Sequence, residues 1–137
     1  MAFSNYLEEK ILKHIFGLGT FTKPSSVYVG LATATISDTT TGTTVTEPST
    51  GAYARVTVTN NTTNWPAAAG TPTTKKNGDV ITFPEATASW GTVTHFFIAD
   101  AATTGNVLIY GQLSTQKVID SGDIPRFNAE SLSITLD

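Results

Sequence analysis

The sequence contains no cysteine, which removes disulfides, thiolate metal sites and thiol nucleophiles together. That absence suits folding in a reducing cytoplasm. Charge is also scarce, at 14% of residues where an ordinary soluble domain carries about 25%. The balance is −3 and no basic run exceeds Lys75-Lys76. Neutralising phosphates takes clustered Lys and Arg, so direct nucleic-acid binding is not expected. No stretch approaches the roughly 18–20 apolar residues of a membrane span, and no membrane partner is expected. Residues Met1 to Lys10 carry acids where a signal peptide would have a basic start and an apolar run, so the expected route is folding in the cytosol.

In place of charge the chain has Thr, Ser, Gly and Asn, with Thr the commonest residue. Thr is β-branched and hydrogen-bonding, and it suits a pleated surface that stays wet without being charged. At 137 residues the chain has the size of one domain, expected over 1–137. Such a length buries roughly 68–70% of its unfolded surface, enough for a core without staples.

Residues 1–19 read as a helix and its turn. Ser4 or Asn5 can cap it, with Glu8 three residues beyond Asn5. Leu7, Ile11, Leu12 and Ile15 recur at helical spacing, and Gly17 and Gly19 stop it. A helix of about three turns is not stable alone, so the stripe must dock on the chain's own sheet or on a partner. Strands are expected at 26–32, 53–59, 79–84, 93–99, 107–113, 116–119 and 132–137, with Gly, Asn and Asp turns between several of them. Two long polar loops, 33–52 and 60–78, are expected to bind a partner or to order on assembly. The fold class is therefore all-β, an antiparallel jelly-roll-like β-sandwich with one short N-terminal α-helix.

Chemistry is sparse. His14 reads as a surface histidine near the helix C-terminus, favoured there by the dipole. His95 with Asp100 and a serine could form a hydrolytic triad, but no Gly-x-Ser-x-Gly elbow occurs. Asp120-Ser121-Gly122-Asp123 reads as a tight turn and lacks the ligand series of a calcium loop. The sequons at Asn60 and Asn61 carry no meaning without a secretory route. Hence no catalytic, cofactor-binding or metal residue is expected, and no cofactor. Trp90 reads as core. Trp65, before Pro66 in a polar loop, is the better contact candidate, against packing down onto its own loop. The expected interface is Tyr6, Leu7 and Ile11 on the helix, with Tyr53 and Trp65.

Several segments resemble a family of small virion proteins of tailed bacteriophages. They are Ser4 to Leu12, Val27 to Leu31, Gly51 to Val56, Ile81 to Phe96, Gly105 to Gly111 and Leu132 to Asp137, with Phe83 to Phe96 the most specific. Members of that family are labelled head decoration, capsid cement, tail or tail-fibre proteins. The resemblance implies a jelly-roll-like sandwich on the capsid exterior and no catalytic residues. It implies a cement or decoration protein, assembled in the bacterial cytoplasm, that holds the shell against the pressure of packaged DNA. Its partners would be the major capsid protein and copies of itself, as dimer or trimer. The rival readings are a tail or tail-fibre component contacting the host surface and a small hydrolase built on His95.

Overall fold

The computed structural model describes residues 1–136. Nine strands and one helix follow in the order β1 (Ala2–Phe3), α1 (Asn5–Ile15), β2 (Ser26–Ala32), β3 (Val56–Thr59), β4 (Thr73–Lys76), β5 (Ile81–Thr82), β6 (Gly91–Ala99), β7 (Val107–Ile119), β8 (Arg126–Phe127) and β9 (Ser133–Leu136). The main sheet runs β1-β7-β6-β2-β3, and β4-β9 and β5-β8 form two short ribbons; every pairing is antiparallel. The result is the expected all-β sandwich, with the ribbons serving as its second layer.

Alternation along the central strands sends side chains to two different cores. Val27, Val29 and Leu31 of β2 join Phe96 and Ile98 of β6 on one face, where Ile81, Phe83 and Leu132 from the ribbon side cover them. On the opposite face Ala32, Phe97, Ala99 and Val107 lie under Ile36 and Val45 of the long segment 33–52. Gly30 lets the Phe97 ring lie across β2, since a Cβ there would sit 2.2 Å from the ring. So the Thr-rich segment expected to order on assembly is already a fixed cover.

A single cation fixes that cover. All five N–H groups of the Arg55 guanidinium are used. Nη1 donates to Ala101 O and Thr104 O, both at 2.9 Å; Nη2 donates to Gly42 O at 2.8 Å and to Glu47 Oε2 at 2.7 Å; Nε donates to Glu47 Oε1 at 3.0 Å. The guanidinium also lies 5.0 Å from the Phe97 ring centre, a cation–π contact. Gly42 is packed so tightly that a Cβ would lie 1.8 Å from Thr104 O.

Where structure and expectation differ, the causes are local. Strand 53–59 begins only at Val56, because Tyr53 and Arg55 turn inward to meet Glu47. The strands expected at 107–113 and 116–119 are one strand, β7, interrupted by a bulge. His95 pairs with Gln112 and Val93 with Lys117, so Thr94 alone opposes Leu113 to Gln116. Loop 60–78 hides β4, whose Thr-Thr-Lys-Lys carries no apolar signal and is defined by pairing with β9. The two-residue strands β1 and β8 have no sequence pattern at all. Asp137, expected to end the last strand, lies outside the described residues.

Two predictions test this architecture. Arg55→Ala should lower stability by about 3–5 kcal/mol in urea unfolding, since it strands the Glu47 carboxylate and three carbonyls. Arg55→Lys should recover only part, because an ammonium cannot span the same fork. A loss no larger than that of an exposed ion pair would refute the clamp. The second concerns Tyr110, which donates to the Asp38 carboxylate. Burial, that hydrogen bond and the Asp38 charge push its phenol from 10.0 up to about 12. Between those values the unfolded chain releases a proton that the folded chain keeps. Stability present below pH 10.0 should therefore fall as pH rises toward 12. Thermal melting across that window should fall less steeply for Tyr110→Phe, and identical slopes would contradict the linkage.

Candidate assembly interface

Helix α1 begins as its sequence directs. Ser4 is the N-cap, its Oγ accepting from Leu7 N–H at 3.3 Å, which settles the choice between Ser4 and Asn5. Ser4 is itself buried, its N–H donating to Leu108 O at 2.9 Å and its hydroxyl to Val107 O. Asn5 N–H donates to Asp38 O at 3.0 Å. The start of the helix is thus fastened to β7 and to the long cover segment.

The other end is different. Leu7 is buried, and Tyr6 and Ile11 pack partly buried against the main core. From Leu12 through Thr20 every residue is exposed. Leu12, Ile15, Phe16 and Leu18 are 56%, 65%, 73% and 78% accessible, and together they make the largest concentration of exposed apolar side chains in the described chain. The termination is orderly: Leu18 N–H donates to Lys13 O at 2.9 Å across Gly17, which takes φ +75°. Such an ending commonly sets an apolar residue at the Leu18 position against one at the Lys13 position. Here the second is a lysine, which bridges to Glu9 on the helix surface, and Leu18 is left outward. Phe21 N–H donates to His14 Nδ1 at 3.2 Å and turns the following segment back along the helix.

The five expected contact residues therefore divide. Leu7 is in the core and cannot present a contact. Tyr6 is half-buried with the Lys10 ammonium 5.4 Å from its ring centre, and Ile11 is the inner edge of the apolar end. Tyr53 is a structural residue: its hydroxyl donates to Glu47 Oε1 at 2.7 Å and accepts from Leu31 N–H at 2.9 Å, and its ring meets Trp90 edge-on at 5.2 Å. Burial and the Glu47 charge push its phenol well above the ordinary range. Trp65 is buried, not an outward contact, because Asn61 accepts from Thr63 and Asn64 N–H and turns the loop back on itself. Phe16 and Leu18 escaped the sequence reading because they follow the helix, where periodicity no longer assigns a face. Leu12 and Ile15 belonged to a stripe whose far half has no sheet beneath it.

The other candidate residues are drawn into ordinary structure. Trp90 is core, its Nε1 donating to Gly51 O at 2.8 Å. His95 shares a hydrogen bond of 2.8 Å with Thr94 Oγ1, and burial pushes its imidazole below the ordinary value. The Asp100 carboxylate accepts from Asn106 N–H at 2.7 Å and from its Nδ2 at 2.8 Å, so it is engaged with Asn106 on both oxygens. Asp120 and Asp123 close a turn, with Asp123 Oδ2 accepting from Asp120 N–H at 2.8 Å. Among the described residues no group of three His, Asp or Glu is placed to hold a metal, and no helix is long and apolar enough to cross a membrane.

Against known proteins, residues 2–135 match the model of a family described as Podophage GP4 fiber I protein gp80. No curated protein matches the chain.

Proposed function

Because the chain belongs to the podophage GP4 fiber I protein gp80 family, and so to the structural proteins of tailed-phage virions, we propose that it is a tail-fibre component. It acts by binding and not by catalysis. The family's description favours the fibre alternative over the shell-cement reading that the sequence alone put first.

The observation that carries an assembly role is the apolar end of α1. Burying a side chain the size of Leu, Ile or Phe is worth about 1.5–3 kcal/mol, and Leu12, Ile15, Phe16 and Leu18 forgo most of that in the isolated chain. Four such residues together form a patch that marks an interaction site. The occupant is a second copy of this chain. Exposed charge on α1 is acidic near its start, at Glu8 and Glu9, and basic near its end, at Lys13. Two copies crossing antiparallel at Ile11, the inner edge of the patch, set Glu9 of each against Lys13 of the other, the pair that each chain otherwise makes within its own helix. A net charge of only −3 per chain offers little repulsion.

Two measurements test this. Quantitative mass spectrometry of purified virions should find few copies relative to the major shell protein, and antibody labelling should place them on the tail. Copies in proportion to the shell protein would overturn the fibre reading in favour of cement, and absence from the particle would overturn both. Separately, sedimentation should show self-association of the purified chain that Leu12→Ser with Phe16→Ser abolishes. Both sites are exposed, so thermal melting of the isolated subunit should hardly change. A wild-type chain that stays monomeric at its highest soluble concentration would exclude the second copy as occupant.

A further inference from the structure

A cleft of about 520 Å³ opens between the bulged part of β7 and the chain around β8 and the start of β9. Its charged residues are Lys117 on β7 and Arg126 on β8, and no Asp or Glu lines it. That runs against the chain as a whole, where 11 acids outnumber 8 bases. Among the described residues neither cation has a carboxylate within ion-pairing reach, the ion pairs being Lys13–Glu9 and Arg55–Glu47. The cleft therefore holds two uncompensated positive charges over a low-dielectric floor, an arrangement that concentrates anions.

Its remaining chemistry narrows the anion. Gln112 and Asn128 supply amides, and Ser114, Thr115 and Ser131 supply hydroxyls, groups that each donate and accept. Phe127, half-buried, is the accessible ring, held edge-on against Phe83 at 6.2 Å and Phe96 at 6.0 Å. A fixed ring, amides, hydroxyls and an arginine fork match one ligand type. That type has an apolar C–H face, several hydroxyls and a carboxylate. The bulge is what brings the β7 wall into place. Four residues, Leu113 to Gln116, stand opposite Thr94 alone; Ser114 and Thr115 reach the cleft from this stretch, and Gln112 and Lys117 from the paired positions that flank it. Bulges recur where a strand must re-aim side chains toward a site.

We propose that this cleft binds an acidic saccharide, with Arg126 and Lys117 on the sugar carboxylate, the amides and hydroxyls on its hydroxyl groups, and Phe127 beneath its ring. As a biological contact, a saccharide of the bacterial surface, it rests on the fibre reading; as a binding site it is measured on the purified chain and stands or falls alone.

The test is a titration of the full-length 15N-labelled chain with three probes at matched ionic strength: a galacturonic acid disaccharide, the neutral galactose disaccharide, and sodium phosphate. The acidic disaccharide should shift the amides of Gln112 to Lys117 and Arg126 to Ser131, and the neutral one should bind about tenfold more weakly or worse, the loss expected from a charged hydrogen-bonded pair. Lys117→Gln with Arg126→Gln should cost a similar factor while melting stays unchanged, both side chains being exposed. Equal binding of the two disaccharides would overturn the proposal, as would undiminished binding by the double variant or no shift with any probe. If phosphate alone moved the same amides as strongly, the cleft would hold an adventitious ion only, and the saccharide would be excluded. None of these results bears on where the protein sits in the virion, so a tail location with an unresponsive cleft would leave the fibre reading intact.

Discussion

The sandwich depends on Arg55. Its side chain is almost wholly enclosed, and the same guanidinium touches the cover segment at Gly42 and Glu47, the turn before β7 at Ala101 and Thr104, and the core ring of Phe97. A buried charge is costly unless each donor is met, and here each one is. The energetic gain over an apolar plug of the same volume is small by that reasoning, but the geometric gain is large. Five directed bonds allow one arrangement of two loops that would otherwise have little apolar surface to hold them. Tyr53 extends the same node by donating to Glu47 and accepting from Leu31 on β2.

With the interior fixed in this way, the surfaces that remain for binding are those the clamp does not reach. The apolar end of α1 leaves the body after Ile11, while its start is bonded to β7. The cation-lined cleft sits on the far layer, between β7 and the ribbons. The two are independent in residues and in chemistry, one apolar and suited to a protein surface, the other carrying two cations over an apolar floor and suited to a hydroxylated anion. A rigid scaffold with separate contact regions is what a virion component requires when it must both join an assembly and meet something outside it.

Strong periodic segments were legible in the sequence. The alternation of Val27, Val29 and Leu31 and the apolar run at Phe96, Phe97 and Ile98 announce the central strands, and Ser4 with Leu7 and Ile11 announces the helix. Elements made by pairing alone were not, since Lys75-Lys76 of β4 and Arg126-Phe127 of β8 become strands only through partners more than 40 residues away. Nor was the Arg55 node, because its main partners are backbone carbonyls, which leave no trace in residue identity. The interface was legible in half: the helix is singled out by its stripe, but Leu7 of that stripe is core, and Phe16 and Leu18 lie beyond the periodic segment. The distinction turns on where the sheet beneath the helix ends, a tertiary fact. Trp65 differs from expectation in the same sense as Leu7, an aromatic in a polar loop that the Asn61 turn folds inward.

Three of the five Arg55 bonds end on main-chain oxygens, at Gly42, Ala101 and Thr104. A carbonyl is supplied by whatever residue stands at its position. Within the cover segment the clamp thus reads chain path, not side-chain identity, outside Gly42, which must be small, and Glu47, which must be acidic. The outward side chains between them, Thr43, Thr44 and Thr46, are uncoupled from the core they conceal, while Val45 packs on it. Lineages under pressure to alter the skin of the particle can rewrite those outward positions at little structural cost, provided Gly42, Glu47, the arginine and the core contacts of Ile36 and Val45 are retained.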